Sequence, residues 1–182
     1  VKLSAKEETS GTITPQRLYA ALTVGENRVA GQYLRFVPKV TNTYTFDFPE
    51  NSLDKIVADG KTTDAEGGVY SAEMEEGKAY CFILRNASSG TIPVYVDFAC
   101  EELNVGERKN IGLNESGYAF FKVSITENTQ YEIVSDFDAE VYTPELLKAD
   151  LSEDPRWSRV FYYVRFSGSP LADGNAEIRL SG

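Results

Sequence analysis

Short runs in which apolar and polar residues alternate strictly, broken by turn residues, recur along the whole chain. In Thr43-Tyr44-Thr45-Phe46-Asp47-Phe48 the aromatic side chains share one face, with Thr45 and Asp47 on the other. A period of two belongs to an extended strand with one buried side, and β-branched and aromatic residues suit its pleated surface. The same reading predicts strands at 31–37, Leu53–Ala58, Val69–Met74, 79–84 and Ile92–Phe98. Asp59-Gly60 and Glu75-Glu76-Gly77-Lys78 are turns, and Asn86-Ala87-Ser88-Ser89-Gly90 reads as a hairpin loop joining the last two strands.

The order of segments occurs twice. Leu22-Thr23-Val24-Gly25-Glu26 returns as Leu103-Asn104-Val105-Gly106-Glu107, an offset of 81 residues (22 to 103), which grows to 87 at the strand tyrosines (44 to 131). Segments 116–123, 129–134, Asp138–Tyr142, 159–166 and 175–180 answer the first copy in order. The expected fold is all-β: two tandem antiparallel β-sandwich domains, jelly-roll or Ig-like, related by an internal repeat. The first spans 1–100, opening with a lead-in strand within 1–21 that Pro15 keeps to an edge, and the second spans 101–182. One departure is Pro144-Glu145-Leu146-Leu147-Lys148-Ala149-Asp150, where Pro followed by helix formers predicts a single helical turn.

Composition changes the picture in two respects. Hydrophobic residues at 42% and aromatics at 12% are enough to drive collapse. A net charge of −10, with 13 acidic against 10 basic residues up to Cys100 and 15 against 8 beyond it, repels nucleic-acid phosphates and anionic headgroups. Nucleic acid is therefore not an expected partner, and no apolar run approaches the roughly 20 residues that span a bilayer, so membrane insertion is not expected either. The chain begins at Val1 and its only Met is Met74, which reads as a piece of a longer multidomain protein. Tandem small β-modules rich in Tyr, Thr, Asn and Gly point to the cell surface or the extracellular space.

Candidate chemistry is sparse. The sequence has no His, which removes the commonest general base and metal ligand together with Ser-His and Cys-His pairs, so catalysis is not expected. Asp136, Asp138 and Glu140, spaced two apart, would share one face of a strand and could offer hard oxygens to calcium, or else form a solvated edge. Cys81 and Cys100 read as buried thiols, since a hairpin at Ser88 would leave them too far apart for an easy disulfide. Trp157, the only Trp, with Tyr162 on the following strand, is the candidate for stacking on a protein or glycan ligand; the alternative is that the Trp157 ring caps a sandwich core. Strand 159–166 carries large apolar groups on both faces, which suggests an interdomain or partner contact.

The Leu-x-Val-Gly-Glu start, the Gly before an aromatic strand (Gly31-Gln32-Tyr33-Leu34-Arg35-Phe36; Gly117-Tyr118-Ala119-Phe120-Phe121), the following Thr-x-Tyr strand and the late Gly77-Lys78-Ala79-Tyr80-Cys81-Phe82 strand together resemble the bacterial pre-peptidase C-terminal domain. The resemblance covers both halves. It implies a secreted β-sandwich module that accompanies enzymes or adhesins without performing catalysis. The function expected is a non-catalytic extracellular module pair acting as spacer and adhesion or ligand-binding segment. The alternative is an accessory carbohydrate-binding module of a secreted hydrolase.

Overall fold

The computed structural model describes residues 18–86, 90–151 and 156–182, and every regular element among them is a β-strand. The chain divides between Phe98 and Ala99 into two compact units. In the first, one sheet runs in the order β1 (Ala20–Leu22), β3 (Tyr33–Phe36), β8 (Tyr80–Leu84), β5 (Leu53–Ala58), β6 (Lys61–Asp64). The facing sheet runs β2 (Gly25–Val29), β9 (Ile92–Phe98), β4 (Asn42–Asp47), β7 (Val69–Met74).

In the second unit the orders are β10 (Glu101–Glu102), β12 (Tyr118–Ser124), β16 (Phe161–Ser167), β14 (Asp138–Tyr142), and β11 (Lys109–Gly112), β17 (Asp173–Leu180), β13 (Thr129–Ser135), β15 (Arg156–Trp157). The two units share one strand order position for position, except that β6 has no counterpart. Successive strands alternate between the sheets, and only β5 and β6 follow each other within one. All pairs are antiparallel except β1 with β3 and β10 with β12, which are parallel.

Alternation fills the space between sheets as the pattern requires. Tyr44, Phe46 and Phe48 are buried while Asp47 is exposed. Phe46 lies 4.5 Å from Phe82 and 5.1 Å from Phe36 between ring centroids, contacts that join one sheet to the other. Full burial of such a side chain contributes about 1.5–3 kcal/mol. The Tyr44 hydroxyl donates to the Val40 carbonyl at 2.6 Å, so its polar end is satisfied inside.

β2 and its counterpart β11 escaped the pattern. An inward position of β2 is held by Asn27, which reads as polar yet is buried. Its amide donates to the carbonyls of Thr23 (2.8 Å), Gly25 (3.0 Å) and Val94 (3.1 Å), while its oxygen accepts from the Thr23 N–H at 2.9 Å. A fully bonded amide can occupy a core position without the cost of an orphaned polar group.

Three expectations change. The segment after β8 is not a hairpin within a sheet, because β8 pairs with β3 and β5 whereas β9 pairs with β2 and β4. The two strands face each other across the core, an arrangement whose local alternation is the same as that of a hairpin; residues 87–89 of the link lie outside those described. Cys81 accordingly sits beside Arg35 and Val57, half-buried, and Cys100 is exposed rather than buried. Residues 144–150 form no helical turn. The Thr143 carbonyl accepts from Leu146 N–H and its own N–H donates to Leu147 O, both at 2.8 Å, and Leu146 takes a left-handed φ of 63° that helix propagation forbids. The strap then returns along β14 through a bridge of Lys148 with Tyr142. Of the lead-in segment, β1 lies on the sheet edge and residues 1–17 are outside those described.

Candidate functional site

The element peculiar to the first unit frames a surface groove. β5 turns into β6 through Asp59 (φ 51°) and Gly60 (φ 72°), the paired positive φ values of a type I′ hairpin, whose twist matches that of the strands it joins. β6 then lies at one edge of its sheet while β7 lies at an edge of the other. The link between them is pinned: Phe48 N–H donates to Gly68 O at 2.7 Å, Leu53 N–H to Gly67 O at 3.1 Å and Ala65 N–H to Asp54 O at 2.8 Å. Gly68 must be glycine there, because a Cβ would stand 2.8 Å from the Phe48 carbonyl oxygen.

Between these edges runs a groove of about 380 Å³, with Leu53, Ile56 and Tyr70 among its apolar lining and Asp59, Thr63 and Asp64 among its polar lining. Tyr70 packs edge-on against the core ring of Phe82, centroids 5.9 Å apart and planes at 69°, which presets its orientation. Two of the groove's carboxylates are paired with lysines. Lys55 Nζ donates to Asp64 Oδ1 at 2.7 Å, and Lys78 Nζ reaches Asp59 Oδ2 at 3.4 Å and Glu75 Oε1 at 2.9 Å. The hydrogen bond from Lys55, then its charge, holds the Asp64 carboxyl below its usual value, and the reciprocal bond raises Lys55.

The residues singled out from the sequence lie in the second unit. Trp157 and Tyr162 are core, not ligand-facing. Trp157 is 1% exposed, pairs through β15 with Thr129 of β13, and stands edge-on to Tyr131 and Tyr162 at 5.5 and 5.1 Å. Tyr162 is 3% exposed, and its hydroxyl accepts from the Ser158 N–H at 2.9 Å. Neither ring has a face to offer a ligand.

Asp136, Asp138 and Glu140 do not form one strand face. The chain leaves the sheet of β13 at Asp136 and joins the opposite sheet at Asp138. Asp136 Oδ2 accepts from the Asn175 N–H at 2.7 Å, holding it to the β17 side. Glu140 accepts from the Tyr142 hydroxyl at 2.7 Å and lies 3.6 Å from Lys148 Nζ. The Tyr142 bond is the main reason its carboxyl sits below the ordinary value. Among the described residues no three acidic or cysteine side chains converge on a point, so this set does not fit calcium.

On the outward face of the β12–β16 pair cations stand over aromatic rings: Lys122 Nζ lies 4.6 Å from the Phe161 centroid, and the Arg165 guanidinium 5.3 Å from that of Tyr118. A broad, open depression in the same unit is lined by Val105, Ile125, Tyr131 and Leu180 among others.

Nothing in the local pattern around β6 announced the groove, since Lys61-Thr62-Thr63-Asp64 is exposed throughout. The signal that could have found it is Asp59-Gly60 followed by an extended polar segment with no equivalent in the second copy. Compared with protein-family models and with curated proteins, the chain matches none.

Proposed function

We propose that this chain is a non-catalytic pair of β-sandwich modules from a secreted or cell-surface bacterial protein, in which the first unit binds a ligand and the second serves as spacer. The observation that carries this reading is the groove between β6 and β7. Two units share a strand order, and the one with an added hairpin gains an amphipathic site whose lining is already held in place. Rigid β-scaffolds with a preset aromatic and a few polar groups suit recognition. The absence of His from the sequence and the likeness of its repeated segments to a secreted accessory domain favour recognition over catalysis.

The test has two arms. Immunodetection of the parent protein in fractionated source cells is expected to place it outside the cytoplasm; a cytoplasmic signal alone would contradict the location. Labelled chain is expected to bind the surface polymers of neighbouring cells or matrix, with binding lost on Thr63→Arg and no turnover across esterase, protease and glycosidase substrates. Turnover by the purified chain would overturn the reading.

A further inference from the structure

We propose that the groove between β6 and β7 binds a saccharide, with a pyranose ring against Tyr70 and its hydroxyl groups hydrogen-bonded along Asp59, Thr63, Asp64 and Glu66. The inference rests on the reading of the first unit as a binding module and adds the class of ligand.

Three features of the groove select that class. The lining is divided: half-buried Tyr70 supplies the accessible apolar surface beside the covered core residues Leu53 and Ile56, whereas Thr63, Asp64 and Glu66 are exposed. A ligand that matches it has an apolar face and a polar edge, as a pyranose has with its axial C–H groups on one side and its hydroxyl groups around the rim. Next, the rim is rich in hydrogen-bonding atoms and its charges nearly balance, because Asp64 is engaged by Lys55 and Asp59 by Lys78, and the remaining charged lining residues, Lys61 and Glu66, are of opposite sign. A strongly cationic ligand would have to displace those lysines, while a neutral polyol can donate to the carboxylate oxygens and accept from the Thr63 hydroxyl with the ion pairs intact. Finally, Tyr70 is fixed against Phe82, so little side-chain freedom is lost when a ring settles on it. The volume of about 380 Å³ falls among small-molecule sites, roughly 300–1,000 Å³.

The competing occupant is an extended peptide added to the open edge of β6 or β7, and the experiment separates the two. Isothermal titration of the intact chain is run against methyl glycopyranosides of glucose, galactose, mannose and N-acetylglucosamine, their β-linked tetrasaccharides, and a library of extended decapeptides. Variants are Tyr70→Ala, Thr63→Arg, which places a long side chain at the mouth without touching the core, and Tyr95→Ala, an exposed ring on the outward face of β9. At least one sugar is expected to bind, with affinity reduced about tenfold or more by Tyr70→Ala. Binding should be abolished by Thr63→Arg at unchanged thermal midpoint and untouched by Tyr95→Ala. Absence of binding by every sugar would overturn the saccharide assignment. Peptide binding that Thr63→Arg abolishes would overturn it too, while leaving the first unit a binding module. Sugar binding indifferent to Thr63→Arg would place the site elsewhere.

Discussion

Truncating Trp157 to alanine removes a ring that is 1% exposed and wedged against Tyr131 and Tyr162. The expected loss is about 3–5 kcal/mol of unfolding free energy, read by chemical denaturation, with groove binding unchanged in the fraction that folds. A ligand-stacking residue would show the reverse: a small stability cost and a lost ligand. Two other side chains set a pH dependence. Asp64 titrates below its usual value and Lys55 above its own, so the pair is ionised between the two. The depressed carboxyl contributes stability that is present above its unfolded value and lost as pH falls through its folded one. Groove affinity is therefore expected to be flat from weakly acidic to weakly basic pH and to fall only at the acidic and strongly basic extremes, as titration calorimetry across pH can show. A drop near neutrality would contradict it. Side chains whose neighbours are local in sequence, such as Tyr44 and Phe46, were legible as core from alternation alone. For Trp157 the sequence left core capping and ligand stacking both open, because its burial comes from pairing with a strand that begins 28 residues earlier (129 to 157) and from Tyr131 on that strand and Tyr162 on β16.

Elements were readable where strand and turn agreed, and misread where the chain changed sheets. Asp136, Asp138 and Glu140 keep a period of two in sequence, but the crossing at Asp136-Phe137 ends the strand between them, so periodicity no longer reports a shared face. The strap at 143–149 shows the same limit, since Pro and helix formers were outweighed by the turn bonds of Thr143 and the left-handed Leu146. Replacing Leu146 by glycine relieves backbone strain of about 1 kcal/mol but removes a buried side chain contributing about 1.5–3 kcal/mol. A net loss of about 1 kcal/mol is expected on denaturation; a net gain would show that backbone strain there outweighs the packing. The β5–β6 hairpin depends on Gly60, whose φ of 72° costs a Cβ-bearing residue about 1–2 kcal/mol. Gly60→Val is expected to weaken the hairpin, seen as faster amide exchange across β6, and to lower groove affinity with it.

For the whole molecule, charge and topology act together. A net charge of −10 predicts no retention of the chain on duplex DNA or anionic vesicles even at low ionic strength, where any attraction would be strongest; sedimentation with either is the check. The repeated order of segments made an all-β architecture legible, and the strand orders of the two units agree position for position apart from β6. The groove was beyond that reading because Leu53 and Tyr70 lie on different sheets and meet only once both are folded. The claim on which the account stands is that recognition resides in the first unit, in the site its extra hairpin frames. Amide chemical-shift mapping of the intact chain titrated with the methyl glycopyranoside panel tests it most directly. The account predicts shifts confined to β5, β6, the 65–68 link and the start of β7, centred on Thr63, Asp64 and Tyr70; shifts centred on Trp157, Tyr162 or elsewhere in the second unit would contradict it.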